Sequence, residues 1–155
     1  MTKEAAQELI QTLKELLKTG VYYLPRVGKS DHLFLRSVQS PKDRFTVYIN
    51  RSSRIVENKY SLLLHYPEEG LLRIDINGRE HKNPDGSLVS CPHIHMRIKD
   101  TGAWDAYAFD LPAVFGDTED CAATLRDFLQ YCHTNNIKKL TICEQKEIPG
   151  YGKNS

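Results

Sequence analysis

Three segments alternate apolar and polar residues with the period of a β-strand, and this alternation limits the fold more than any other feature. In the first, Phe45, Val47 and Ile49 alternate with Thr, Tyr and Asn. Residues 71–77 and 92–99 repeat the pattern. Because successive side chains of a strand point to opposite faces, each segment has one apolar and one polar face. We therefore expect a mostly antiparallel sheet whose apolar face is covered and whose polar face stays open.

Two other segments have the period of an amphipathic helix. The first begins after Thr2, which can cap it, and its apolar residues recur at helical spacing as far as Leu17. Gly20 is expected to stop this helix. The second helix is expected to begin at Asp117 or Thr118, which can cap it, and it has a similar apolar stripe.

Shorter signals complete the predicted fold. Strands are also expected at 32–38 and 59–66, and a strand from Leu140 to Cys143 is expected to return to the sheet. Residues 78–91 hold several turn signals and are predicted to form a loop. The fold class is therefore predicted as α+β, a mostly antiparallel sheet with two helices packed on one face. The face that the helices should cover carries Val47, Ile74, Ile94 and Met96.

The length of 155 residues is enough for one core without metal or disulfide support. We predict a single domain over 1–144 and a flexible tail over 145–155, which is polar and contains glycine. The four cysteines match no zinc-finger spacing. The amino terminus is charged, and no run approaches the roughly 20 apolar residues of a membrane span. We expect a cytoplasmic protein with free thiols and no membrane partner.

Candidate functional residues gather around the segment 92–99. If it is a strand, His93, His95 and Arg97 share its polar face. Pairing with 71–77 would bring further polar side chains to the same face, and the loop that follows would add others at one end. The candidates added in this way are Arg73, Asp75, His81, Asn83 and Asp85, with Tyr48 from the strand 44–50.

One interpretation of this polar face is a metal site. A His-x-His strand supplies two nitrogen ligands, His93 and His95, and a third ligand is available from His81, Asp75 or Asp85. The cofactor would be a divalent transition metal, with His81, His93 and His95 as the simplest ligand set.

Two other interpretations need no metal. In acid/base chemistry, His93 and His95 exchange protons near neutral pH while Arg73 or Arg97 holds a phosphate. Further ligand or phosphate contacts would come from Asn83, Asp85 and Tyr48. Alternatively the histidines are merely exposed on a polar face, and the Asp and Asn side chains satisfy turn backbones. The net charge of +1 favours none of these, because it gives no overall field.

Several motifs together resemble a family of small uncharacterised proteins of Firmicutes and their phages. They are RIDING at 73–78, HKNPDG at 81–86 and PHIH at 92–95. Agreement extends over most of the chain, including 24–26, 49–51 and 128–132. The resemblance implies a shared fold and a phage context, and it implies no activity.

A subset of these residues is also similar to the TumE-type toxins of bacterial toxin–antitoxin pairs. The subset is Arg73, Asp75, His81 and the segment PHIH at 92–95. This chain departs from the toxins by an inserted Asn-Pro-Asp-Gly and by a single histidine in the turn. The resemblance implies an RNA-directed toxin with an antitoxin partner.

Two functions therefore follow as hypotheses. The first is a small toxin-like ribonuclease that acts on RNA through the histidine pair. The second is a non-enzymatic, phage-related module that captures a host defence protein or a phosphorylated or nucleotide ligand, since binding needs only a few convergent polar groups. The sequence leaves open whether the protein is an enzyme.

Overall fold

The computed structural model of the chain describes residues 1–51 and 58–145. The fold is α+β, as predicted: an antiparallel seven-stranded sheet and two helices. The helices are α1 (Lys3–Gln11) and α2 (Cys121–Tyr131), with a 3₁₀ turn at Ile137–Lys139. The strands are β1 (Lys14–Leu16), β2 (Gly20–Tyr23), β3 (Lys29–Ser37), β4 (Arg44–Arg51), β5 (Tyr60–Tyr66), β6 (Glu69–Ile76), β7 (His81–Lys82), β8 (Leu88–Val89), β9 (His93–Met96), β10 (Ala108–Asp110) and β11 (Leu140–Cys143).

The strands of the main sheet follow the order β1-β3-β4-β5-β6-β9-β10. Their apolar face forms one core with the two helices, as expected. Val47 and Ile74 are fully buried there beside Leu125 and Phe128 of α2 and Ile10 of α1. The predicted register of the central strands is therefore confirmed, and the polar side chains of β6 and β9 point away from the helices.

The first helix is shorter than predicted. It begins at the expected cap, since Thr2 Oγ1 accepts a hydrogen bond from Ala5 N, but it ends at Gln11. The chain then continues as β1, in which Leu16 pairs with Leu35 of β3. The apolar residues up to Leu17 fit a helix by spacing, but pairing with a sheet edge outweighs helix propensity.

The side chain of Lys14, the first residue of β1, joins the end of the first helix to the end of the second. Its Nζ donates to the carbonyl oxygens of Ile10, Thr12 and Cys132 at 2.8–2.9 Å, at the carboxyl ends of both helices. These carbonyls form the negative end of a helix dipole, which favours a cation. Lys14 is nevertheless fully buried beside the ring of Phe45, and burial lowers its pKa to about 8.

Two predictions near the carboxyl end are corrected by the structure. The cap of α2 is Asp120, whose Oδ1 accepts from Ala123 N, rather than Asp117 or Thr118. The strand β11 does not return to the main sheet, because it pairs in parallel with β2 in a separate two-stranded sheet. The predicted tail lies outside the described residues except for Gln145, whose Nε2 donates to Leu24 O.

The polar face of the sheet is covered at β9, although we expected it to be open. The segment predicted as a loop contains a short hairpin of β7 and β8, and 97–107 leads from β9 to β10. His93 and His95 are therefore only 2% and 1% exposed. Such polar side chains are tolerated under cover because their ring nitrogens have partners.

Asparagine side chains pair with the backbone of both outermost strands. At β10, Asn83 Oδ1 accepts from Ala108 N at 2.8 Å and Asn83 Nδ2 donates to Ala108 O at 3.1 Å. At β1, Asn136 makes the same two hydrogen bonds with Leu16, at 2.8 and 3.1 Å. Each amide thus takes the place of a neighbouring peptide group.

In 1–51 and 58–145, no helix is long and apolar enough to cross a bilayer.

Candidate functional site

The strands β6 and β9 place four polar side chains together. They pair antiparallel with Asp75 opposite His93 and Arg73 opposite His95. Directly opposite residues of paired strands point to the same face. The pairing that we expected from the alternation is therefore present, and these side chains face the cover formed by the hairpin and by 97–107.

Asp75 is the centre of the cluster. Its Oδ2 lies 3.0 Å from His93 Nε2 and 3.1 Å from His95 Nε2. Its Oδ1 accepts from Ser61 Oγ at 2.8 Å and from Arg73 Nε at 3.1 Å. Burial raises the pKa of Asp75, but the hydrogen bond with His95 and the charge of Arg73 outweigh it and bring the pKa well below its usual value. Asp75 is thus a carboxylate at any physiological pH.

Both ring nitrogens of His95 face oxygen atoms that can only accept hydrogen bonds. Its Nδ1 lies 2.9 Å from the carbonyl oxygen of Asp105, which can only accept, so Nδ1 carries a hydrogen. Its Nε2 faces the Asp75 carboxylate, which also offers only lone pairs. Nε2 and the Asp75 carboxylate are therefore placed to share a cation between them.

His81 completes a group of three neighbouring rings. Its ring centroid lies 4.7 Å from that of His95 and 6.1 Å from that of His93, and the His93 and His95 centroids are 4.8 Å apart. His81 Nε2 lies 2.7 Å from Ala106 O and donates to it. The three predicted histidines are therefore brought together, and this nitrogen of His81 is already engaged.

The ligand set that the structure favours differs from the simplest predicted set. Potential metal-ligand atoms of Asp75, His93 and His95 all lie within 4.8 Å of one another. Asp75 takes the place that the predicted set gave to His81. Its position opposite His93 explains the difference, because a cross-strand neighbour is closer than a residue of the connecting segment.

A cavity of about 420 Å³ opens beside the cluster. Three cationic and two acidic side chains are among its lining residues: Lys59, Arg73, Arg79, Asp75 and Glu80. A larger recess of about 1060 Å³ shares Gly78 and Glu80 with it but does not include the histidines. We place the candidate site at the smaller cavity, because only that one reaches the cluster.

Arg97 and Tyr48 lie apart from the cluster. Arg97 Nη1 donates to Lys99 O at 3.0 Å and Nη2 donates to Glu69 Oε1 at 3.3 Å, so the guanidinium is held just beyond the end of β9. The ring of Tyr48 packs against the rings of His32 and His65. Neither side chain lines the cavity.

Asn83 and Asp85 have structural partners in the hairpin. Asn83 binds the backbone of Ala108, and its Nδ2 also donates to Ser87 Oγ at 3.2 Å. Asp85 Oδ1 accepts from the backbone N and the Oγ of Ser87, as a turn residue does. Within the cluster, Asp75 rather than Asp85 orients the histidines. Ligand-binding roles for Asn83 and Asp85 stay predictions.

Several residues of the site were not predicted. Ser61 lies directly opposite Asp75 on β5, so the alternation of 59–66 contained the signal that could have found it. Arg73 Nη1 donates to Asp105 Oδ2 at 2.9 Å, but Asp105 follows no periodic pattern. Cys91 Sγ lies 3.6 Å from His93 Nδ1. Burial raises the pKa of this thiol, which does not favour a thiolate nucleophile.

Residues 1–134 match the model of a family of unknown function, DUF6978, and the chain therefore belongs to that family. No curated protein and no solved structure matches the chain. The resemblance to TumE-type toxins thus stays a prediction from a few residues. The family's description assigns no activity, and the Asp75–His93–His95 cluster is the feature of the molecule that points to one.

Proposed function

We propose that the protein is an RNA-directed ribonuclease whose chemistry occurs at the Asp75–His93–His95 cluster. The observation that carries the proposal is the location of this cluster at a cavity lined by Lys59, Arg73 and Arg79. Cationic side chains attract and hold the phosphates of a nucleic acid. A histidine pair next to such cations can supply the proton transfers and the charge stabilisation of phosphodiester cleavage.

RNA carries its own nucleophile, the ribose 2′-hydroxyl. In the proposed reaction, the 2′-oxygen attacks phosphorus and its proton passes to a basic group of the cluster. The bond from phosphorus to the 5′-oxygen breaks, and an acidic group of the cluster gives a proton to that oxygen. The products are a 2′,3′-cyclic phosphate and a free 5′-hydroxyl. Arg73 and Lys59 stabilise the charge that develops on the phosphate. His95 takes part as one of the histidine pair, with its Nε2 facing Asp75 Oδ2.

The test compares RNA with DNA of the same sequence. Pure, untagged protein is expected to cleave 5′-labelled RNA and to leave DNA intact, because DNA lacks the 2′-hydroxyl. His95→Ala is expected to lower the cleavage rate at least about 100-fold. His32→Ala is the matched control, since His32 packs against Phe34 and Tyr48 away from the cavity.

The toxin context gives a second test of the same proposal. Expression of the chain is expected to arrest bacterial growth, and His95→Ala is expected to relieve the arrest at equal protein level. Full toxicity of the variant, or no RNA cleavage by the pure protein, would count against a ribonuclease.

A second candidate is the non-enzymatic binder, and the burial of the histidines favours it. Rings that are 2% and 1% exposed offer a ligand little surface, whereas Arg79 is exposed at the cavity rim. A phage-related module would then hold a nucleotide or a phosphorylated surface of a host defence protein by the rim cations. Retention of RNA or a nucleotide without cleavage, unchanged in His95→Ala but weakened by salt and in Arg79→Ala, supports the binder.

A further inference from the structure

We infer that Asp75, His93 and His95 bind one divalent transition-metal ion. The inference rests on the geometry of these side chains and holds whether the substrate of the cavity is RNA or another phosphate ester. It replaces the simplest predicted set, since Asp75 rather than His81 is the third ligand.

The distances agree with a metal site. Ligand atoms in adjacent positions around an octahedral ion, with bonds of about 2.1 Å, lie about 3.0 Å apart. Asp75 Oδ2 lies 3.0 Å from His93 Nε2 and 3.1 Å from His95 Nε2. Both Asp75–histidine separations thus match adjacent ligand positions, the ligand atoms of all three side chains lie within 4.8 Å of one another, and both histidines are almost wholly buried there.

The partners of the ligands also agree with a metal site. A histidine that binds a metal usually donates its other ring N–H to a carbonyl or carboxylate, and a ligating carboxylate is itself hydrogen-bonded. His95 Nδ1 donates to Asp105 O, which leaves Nε2 free as a ligand. The other oxygen of Asp75, Oδ1, accepts from Ser61 and Arg73. Both ligands are therefore oriented by the residues behind them.

The donor atoms of the three side chains indicate which kind of ion would bind. Two nitrogens and one oxygen suit zinc, iron, cobalt or nickel rather than magnesium or calcium. Three protein ligands leave room for a substrate oxygen on the ion.

The experiment uses the full chain without a histidine tag, freed of metal by a chelator. Co²⁺ is added and its visible absorption is recorded, and Zn²⁺ is added in a calorimeter, both without RNA. We expect one ion per chain. Asp75→Asn and His95→Gln are each expected to weaken binding at least about 100-fold, and Ser61→Ala about 10-fold, because loss of a supporting hydrogen bond costs less than loss of a ligand.

Two control variants test the ligand set. His32→Gln and His81→Gln are expected to bind Co²⁺ within about threefold of the unchanged chain. Abolition of binding by His81→Gln together with normal binding by Asp75→Asn would overturn the assigned ligands. Circular dichroism checks that each variant is folded, and a rise of the unchanged chain's Tm with Zn²⁺, absent in His95→Gln, checks binding by a second route.

Failure of this inference differs from failure of the ribonuclease proposal. If the metal-free chain binds neither Co²⁺ nor Zn²⁺ but cleaves RNA in excess chelator, the inference is wrong and the ribonuclease proposal stands. If the chain binds one ion through Asp75, His93 and His95 and cleaves no RNA, the inference stands and the ribonuclease proposal falls.

Discussion

Replacement of the buried Lys14 by methionine gives a pH-dependent test of how the helices are joined to the sheet. Lys14→Met keeps an unbranched side chain but removes the ammonium and its three hydrogen bonds to helix carbonyls. Those bonds contribute about 1 kcal/mol each. Burial of the charge opposes them, because it lowers the pKa from 10.5 to about 8, which costs about 3 kcal/mol.

These two effects nearly cancel at pH 7, so the dependence on pH is the sharper measure. Between pH 8 and 10.5 the unfolded chain holds the Lys14 proton and the folded chain has released it. The free energy of unfolding therefore rises with pH in this window. From pH 7 to pH 10 the unchanged protein should gain at most about 2–3 kcal/mol relative to Lys14→Met, since the carbonyl acceptors favour the charged amine.

The assay is urea unfolding of both proteins at pH 7, 8, 9 and 10, followed by circular dichroism. Contributions from other titrating groups cancel in the difference between the two proteins. The exposed Lys42 provides the control, and the difference between Lys42→Met and the unchanged protein should stay flat. A difference for Lys14→Met that is flat or falls with pH would refute the reasoning.

Two further predictions concern packing. A Cβ at Gly70 would overlap the indole of Trp104, so Gly70→Ala should displace the ring. Trp104 is the single tryptophan of the chain, so a shift of the fluorescence maximum should report the displacement. An unshifted spectrum would contradict the contact. Leu125 of α2 is fully buried in the core, so Leu125→Ala should lower the free energy of unfolding by about 2–5 kcal/mol. A loss under 1 kcal/mol in urea would mean that α2 does not pack there.

The parts of the site that follow strand periodicity could be predicted from sequence. The alternation places Asp75 and His93 on one face of their strands, and the observed pairing brings them opposite each other. Ser61 follows the same rule and could have been included. The face on which each of these side chains lies could be predicted because successive residues of a strand point to opposite faces.

The cover over the histidines could not be predicted. His95 and His81 bind the carbonyl oxygens of Asp105 and Ala106. Every residue has a backbone carbonyl, so the side chains of that segment give no signal of these contacts.

The predicted length of α1 was wrong for another reason. Leu13 and Leu17 satisfy the spacing of a helix, but both are largely exposed, and the strand that contains Leu16 is decided by its distant partner in β3.

The paired amides of Asn83 and Asn136 have a consequence for how copies of this chain meet. The outer side of an edge strand normally presents free N–H and C=O groups that recruit a strand from another molecule. Here Ala108 and Leu16, at opposite edges, each have both groups occupied by an asparagine of the same chain. Growth of the sheet from one molecule into the next is thus blocked at these two positions, and the seven-stranded sheet is protected there against edge-to-edge aggregation.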